Sequence, residues 1–152
     1  MTASTEVLIG DAGGPHVLIR VLFRNHPGLF DYGDGNWLAC DVEIAAGAFR
    51  GAFRADLRAE EFQTFLDEME GLSRALDGVA TLSTMEEQIA LALTGDGKGH
   101  VRVQGDARDT PAGENRLHFG FDIDQSYLQE ISRSLEIILS AFPVVGAGER
   151  QR

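Results

Sequence analysis

Four histidines and one cysteine are the side chains of this chain best suited to metal or nucleophilic chemistry, and their spacing argues against both. His16, His26, His100 and His118 are scattered, and none pairs with another or with Cys40 at a spacing used by zinc sites. Three of them lie in or beside strand-like runs, where an ordinary strand or surface position explains them. The stretch DYGDGN (31–36) resembles the start of a calcium loop. Counted from Asp34, however, the twelfth position, where an EF-hand needs a glutamate, is Ala45. TGDGKGH (94–100) has spaced glycines and a lysine but not the G-x-x-x-x-G-K-[ST] pattern, and it leads into a strand, with no helix N-terminus to hold a phosphate. There is no G-x-S-x-G elbow. Cys40 falls on the apolar side of an alternating run, as a small buried hydrophobe does. Asp122 and Asp124 share a strand face and come nearest to a carboxylate pair, but Asp124 is better explained as the cap of the helix that follows. No metal, no cofactor and no catalytic constellation is expected, so the chain reads as a non-enzyme.

The elements that would position any site follow from hydrophobic period. HVLIRVLFR (16–24) alternates, with Val17, Ile19, Val21 and Phe23 on one face and Arg20 and Arg24 on the other. NHPGLFDYGDGN (25–36) is a loop. WLACDVEIA (37–45) points Leu38, Cys40, Val42 and Ile44 one way and Asp41 and Glu43 the other. After a turn at Ala46-Gly47, AFRGAFRADL (48–57) puts Phe49, Phe53 and Leu57 opposite Arg50, Arg54 and Asp56. The two runs predict a hairpin with Asp41 and Glu43 near Arg50 and Arg54 on a solvated face. Trp37, Phe49 and Phe53 belong to its core or rim. Residues 59–76 change to helical period, with Phe62, Phe65, Leu66, Met69, Leu72 and Leu76 on one stripe and Asp77-Gly78 expected to end the helix. Strand patterns resume at 79–83, 88–94, 100–107 and 116–124, with GDGKG (95–99) as a hairpin turn. From Gln125 a second helical stripe runs through Leu128, Ile131, Leu135, Ile138, Leu139 and Phe142 to Pro143.

Strands, helix, strands, helix predicts an α+β fold: mainly antiparallel sheet with two helices packed on it, and the order suggests a duplicated ββββα unit. A single domain is expected over residues 1–146, with 147–152 a disordered tail and VVGAGERQR frayed. At 152 residues a core of ordinary size suffices without staples. The start lacks the basic and apolar regions of a signal peptide, and no apolar run approaches the ~18–20 residues that span a bilayer. A lone cysteine fits a reducing compartment, so the expected location is the cytoplasm.

Charge is the more informative property. The net charge is −11 and the pI about 4.6, which opposes binding to nucleic acid or anionic membranes and can steer a basic partner. Residues 59–78 hold six acids against one arginine, a net of −5, while 37–58 and 125–152 each balance at zero. On a helical wheel Glu60, Asp67 and Glu70 lie away from the apolar stripe and Glu61 and Glu68 flank it. The first helix is therefore expected to present an acidic face, either merely solvated or a docking surface for a basic protein. The loop residues Asp31 and Asp34, with Trp37 at the loop's end, are the next candidates.

Several segments together resemble the WapI-type immunity proteins of bacterial polymorphic toxin systems. They are NWLACDVEI, FRADLRAEEFQTFLDEMEGL, GVATLSTMEEQIALALTGDGKGHVRVQGDARD and DQSYLQEI. The distinctive pieces are W-L-x-C, F-R-A-x-L-R-x-E-x-F, and G-D-G-x-G-H followed by G-x-A-x-D, and the resemblance runs from about Asn36 to Pro143. It implies a small cytoplasmic protein that binds and neutralises the toxic C-terminal domain, often a tRNA-attacking nuclease, of a cognate secreted or surface protein. No contact motif of that family carries over residue by residue. A small-molecule-binding or sensor domain, using a cavity between sheet and helices, is the alternative expectation. A hydrolase with an unrecognised carboxylate site is the third.

Overall fold

The computed structural model describes residues 4–147. The period-two runs form eight strands: β1 (Glu6–Gly10), β2 (His16–Arg24), β3 (Trp37–Ala46), β4 (Phe49–Arg58), β5 (Asp77–Leu82), β6 (Ile89–Asp96), β7 (His100–Arg108) and β8 (Arg116–Asp124). The period-3.6 runs form helices α1 (Ala59–Ala75) and α2 (Leu128–Ala141), the latter entered through a 3-10 turn at Gln125–Tyr127. The strands make two four-stranded antiparallel meanders, β1-β2-β3-β4 and β5-β6-β7-β8, each followed by a helix. The chain is thus two successive ββββα units.

One apolar cluster joins both sheets and both helices. Ile19, Leu38, Ile44 and Leu57 from the first sheet, Leu93, Val101 and Val103 from the second, Phe62, Phe65 and Met69 from α1 and Leu128, Leu135 and Ile138 from α2 all belong to it. The helices are exchanged between the halves. α1, which ends the first half, packs along β5, the edge strand of the second sheet. α2, which ends the second half, packs along β1, the edge strand of the first, and the helices touch each other. Glu68 of α1 accepts the backbone N–H of Thr81 on β5 at 2.9 Å. At the other side Gln88, 3 % exposed, donates its amide to the carbonyls of Arg54 and Asp109, both at 3.1 Å, and so clamps β4 to the end of β7.

Several expectations are corrected. Val7–Ile9 is the core of β1, an edge strand that the short apolar run did not predict. A bulge follows Val21: Val21 faces Cys40 but Phe23 faces Ala39. The extra residue turns the strand over, so Phe23 points outward, 52 % exposed, and Arg24 takes the inner side and donates to the Gly35 carbonyl at 2.7 Å. Phe49, at the hairpin tip, is exposed, and Phe53 is half-buried against the core. α1 ends not at Gly78 but at Leu76, whose φ of 61° is left-handed. Helix and sheet meet so closely there that a Cβ on Gly95 would lie 2.5 Å from the Leu76 carbonyl. Val144–Gly146 is no frayed tail, because Asn36, fully buried, exchanges two hydrogen bonds with the backbone of Val145. The remainder of the expected disordered tail, 148–152, lies outside the described residues.

Candidate partner-binding surface

The residues proposed from charge converge on the start of α1, and the group that gathers them is Arg58. The β3–β4 register places Trp37 directly opposite Arg58. The Arg58 guanidinium lies 4.8 Å from the Trp37 ring centroid and 5.5 Å from that of Tyr32, the geometry of a cation–π stack. It donates to the carbonyls of Gly33 and Tyr32 and to the Glu60 carboxylate, with only 3 % of its side chain exposed. Arg58 is also the residue that caps α1: its backbone N–H donates to Glu61 at 2.8 Å, which is one half of a capping box. The other half is missing, because a guanidinium has no lone pair to accept from the helix. Strand end, loop 25–36 and helix start are thus held by one cation that the charge count treated as part of a neutral hairpin. The signal was available in the sequence: counting back from the turn at Gly47 pairs Trp37 with Arg58.

The acidic candidates divide into two sets. Glu60 and Glu61 face inward, Glu60 on Arg58 and Glu61 bridging the N–H groups of Arg58 and Met85, the latter at 2.6 Å. Burial pushes the Glu61 carboxyl above its usual range, although those two N–H bonds pull it back. Glu68 is committed to Thr81 through N–H and hydroxyl. The outward set is Asp67, exposed and accepting from Gln63 at 3.0 Å, the half-buried Glu70, and exposed Asp34. Asp31 accepts the Asp34 N–H at 2.8 Å and so shapes the loop. The same loop exposes two apolar side chains, Leu29 and Phe30, the second at 73 %, which the charge pattern did not single out.

Elsewhere the ionisable groups serve the fold. Asp41 meets Arg54 at 3.0 Å on the predicted solvated face. Asp124 caps the turn into α2 through the Ser126 N–H at 2.9 Å. His16 is buried, with Nδ1 donating to the carbonyls of Gly14 and Asp11 and Nε2 3.1 Å from Glu43. Nδ1 faces only carbonyl acceptors and so carries its hydrogen, while the Glu43 carboxylate beside Nε2 favours the protonated ring. Burial of Cys40 raises its thiol to about 12, so it is no thiolate nucleophile. Among the described residues no group of three or more His, Cys, Asp or Glu could hold a metal ion, and no helix is long and apolar enough to cross a membrane. The centre, between sheets and helices, is filled by the apolar cluster. Open grooves remain at the surface, one of about 540 Å³ between β1 and the outer side of α2, lined by Glu6, Leu8, Tyr127 and Glu130, and one of about 450 Å³ over Arg20, Asp41 and Arg54 on the outer face of the first sheet.

The α+β domain thus spends many of its charged groups on its own loops and caps and turns Asp34, Asp67, Leu29 and Phe30 outward. The sequence model of the immunity protein WapI-like family matches residues 7–143, and the chain belongs to that family. Comparison with curated proteins finds no match. Among solved structures the chain is similar to the MRP1/MRP2 proteins of Trypanosoma bruciei, at 12% identity over 94% of this chain and 88% of that one, with a TM-score of 0.48. It is also similar to the CdiA-CT/CdiI toxin and immunity complex from Enterobacter cloacae, at 14% identity over 88% of this chain and 99% of that one, with a TM-score of 0.40. Likeness at that level supports no statement about this chain.

Proposed function

We propose that this protein is a non-catalytic immunity protein, acting in the cytoplasm, that binds and neutralises the C-terminal toxin domain, a nuclease, of a cognate polymorphic toxin. Membership of the immunity family across residues 7–143 is the observation that carries this reading. The net charge of −11 supports a basic partner, since a nuclease is basic where it holds nucleic acid and an acidic inhibitor competes for that surface and finds it quickly. The contact surface is proposed to be the region around the start of α1 and loop 25–36: Asp31, Asp34, Trp37, Glu60, Glu61, Asp67, Glu68 and Glu70. In it Asp34, Asp67 and Glu70 supply outward charge, while Glu60, Glu61 and Glu68 fix the shape.

The test uses the cognate toxin domain. The active domain is expected to lose its activity at one equivalent of this protein. With an inactive toxin variant, Asp34→Asn/Asp67→Asn/Glu70→Gln is expected to slow association several-fold at low salt and to flatten its salt dependence, with dissociation little changed. Stability should move by no more than about 0.5 kcal/mol per site. A toxin uninhibited at stoichiometric ratio refutes the function. Unchanged association rates refute the surface.

A further inference from the structure

Each of the two sheets has two edges; two of the four carry a helix, and a third, β4, is tied at two points. α2 lies along β1 and α1 along β5. On β4, Glu61 takes the Arg58 N–H and Gln88 donates to the Arg54 carbonyl. The fourth edge is β8. The Gln125 N–H donates to Gly99 at 2.9 Å, toward β7, and the β7–β8 register runs without a break from Arg108↔Arg116 to His100↔Asp124. Backbone groups alternate in direction along a strand, so Arg116, His118, Gly120, Asp122 and Asp124 turn their N–H and C=O groups away from the sheet. The bonds found outside the regular ladders place no backbone partner on these groups among the described residues. Of the usual protections of an open edge, β8 has charged side chains but no proline, no lysine and no bulge.

The five outward residues read Arg, His, Gly, Asp, Asp, a charge pattern that is its own complement when reversed about Gly120. We propose that β8 pairs with β8 of a second copy of this chain, antiparallel and centred on Gly120, joining two four-stranded sheets into one of eight strands. In that register Arg116, which also holds Asp106 of its own chain at 2.6 Å, faces the second copy's Asp124, and His118 faces its Asp122, which also meets Arg102 of its own chain at 3.4 Å. Gly120 lies opposite its counterpart, and every outward backbone group finds a partner. Like residues would not oppose each other anywhere except at the glycine, over which the Arg102 guanidinium of the same chain lies. Beneath the edge, half-buried Leu117 and Phe119 and the exposed Phe49 line or adjoin a groove of about 210 Å³, which the second strand would cover. This inference does not depend on the proposed toxin partner. The net charge of −11 per copy opposes association at long range, so the dimer is expected to strengthen as salt is raised.

The test is sedimentation velocity on the full chain from about 5 to 500 μM at ~0.15 M salt, with amide exchange measured at both ends of that range. A concentration-dependent dimer is expected, in which the amides of His118, Gly120 and Asp122 slow at high concentration while those of Leu117, Phe119 and Phe121 are protected throughout. Asp122→Arg should weaken the dimer at least tenfold, and adding His118→Glu should restore it. The exchange arm uses the unmodified chain, so a poorly folded variant cannot hide the answer. A monomer at every concentration, a dimer that leaves the outward amides unprotected, or a charge swap without rescue overturns the proposal. So does protection of these amides by the toxin domain alone, which assigns the edge to that partner instead.

Discussion

Arg58 illustrates how much a single buried cation can organise. Its side chain is 3 % exposed and its partner Glu60 14 %, so removing one leaves the other charged and nearly dry. Arg58→Met is expected to cost about 3–5 kcal/mol in urea unfolding, as for other buried pairs broken on one side. Arg58→Lys should recover only part of this, since an ammonium cannot reach two carbonyls and a carboxylate in one plane. His16 offers a pH test. Burial alone would lower its pKa, but the bonds to Glu43 and to the Gly14 and Asp11 carbonyls outweigh it and the net shift is upward. Stability from this group is therefore complete below the unfolded value of ~6.5 and is lost as pH rises through the folded one. Thermal unfolding from pH 5.5 to 9 should show that decline, and Glu43→Gln should reduce it, by about 1 kcal/mol at most because Glu43 is more than half exposed. At this scale the sequence was partly legible. Asp124 as a cap and Cys40 as a buried hydrophobe follow from spacing alone. Hairpin register sets Trp37 opposite Arg58, but the bonds of Arg58 to the loop, and those of Gln88 and Asn36, reach backbone 20 or more residues away, and local period carries no information about such contacts.

Among the elements, the strands and helices of the second half fall where alternation and helical period put them, because each has one apolar face on one core. The departures have physical causes. β2 breaks its own alternation at a bulge, so Phe23 leaves the core that period assigns it. β4 projects beyond the core at its tip, so the Phe49–Phe53–Leu57 stripe runs from exposed through half-buried to fully buried. Truncation should follow that gradient. Phe62→Ala and Phe65→Ala, both fully buried, are expected to cost ~3–5 kcal/mol. Phe53→Ala should cost roughly half as much, and Phe49→Ala should fall within about 0.5 kcal/mol. Equal losses at Phe49 and Phe62 in urea unfolding would show that the exposure gradient is wrong. The charged face of α1 was legible as composition but not as geometry. The wheel angle separates outer from flanking acids, yet which of them tie to β5, to the Met85 turn or to Arg58 depends on neighbours the helix meets only in the folded chain.

For the whole molecule, the exchange of helices between halves decides how it unfolds. Each ββββα unit has an edge strand covered by the other's helix, and one apolar cluster spans both, so neither half owns a complete core. A single cooperative transition is expected, with calorimetric and van't Hoff enthalpies in agreement. Residues 1–76 or 77–152 expressed alone should lack the near-ultraviolet circular dichroism of the intact chain, and mixing the two fragments should restore it. Independent folding of either fragment would refute the interdependence of the halves. The exchanged helices also bear on the moment of synthesis. α1 leaves the ribosome before β5 exists, and α2, which closes β1, is made only after the whole second sheet. At ~5–20 residues per second, the apolar stripe of α1 waits only about a second for β5 itself, but longer for the rest of the second sheet. Nascent chains stalled after Leu82 should remain protease-sensitive, whereas chains released from the ribosome should resist digestion. A cell relying on this protein would then be guarded by its finished copies alone, and a pause in translation would open a gap that no half-made chain can fill.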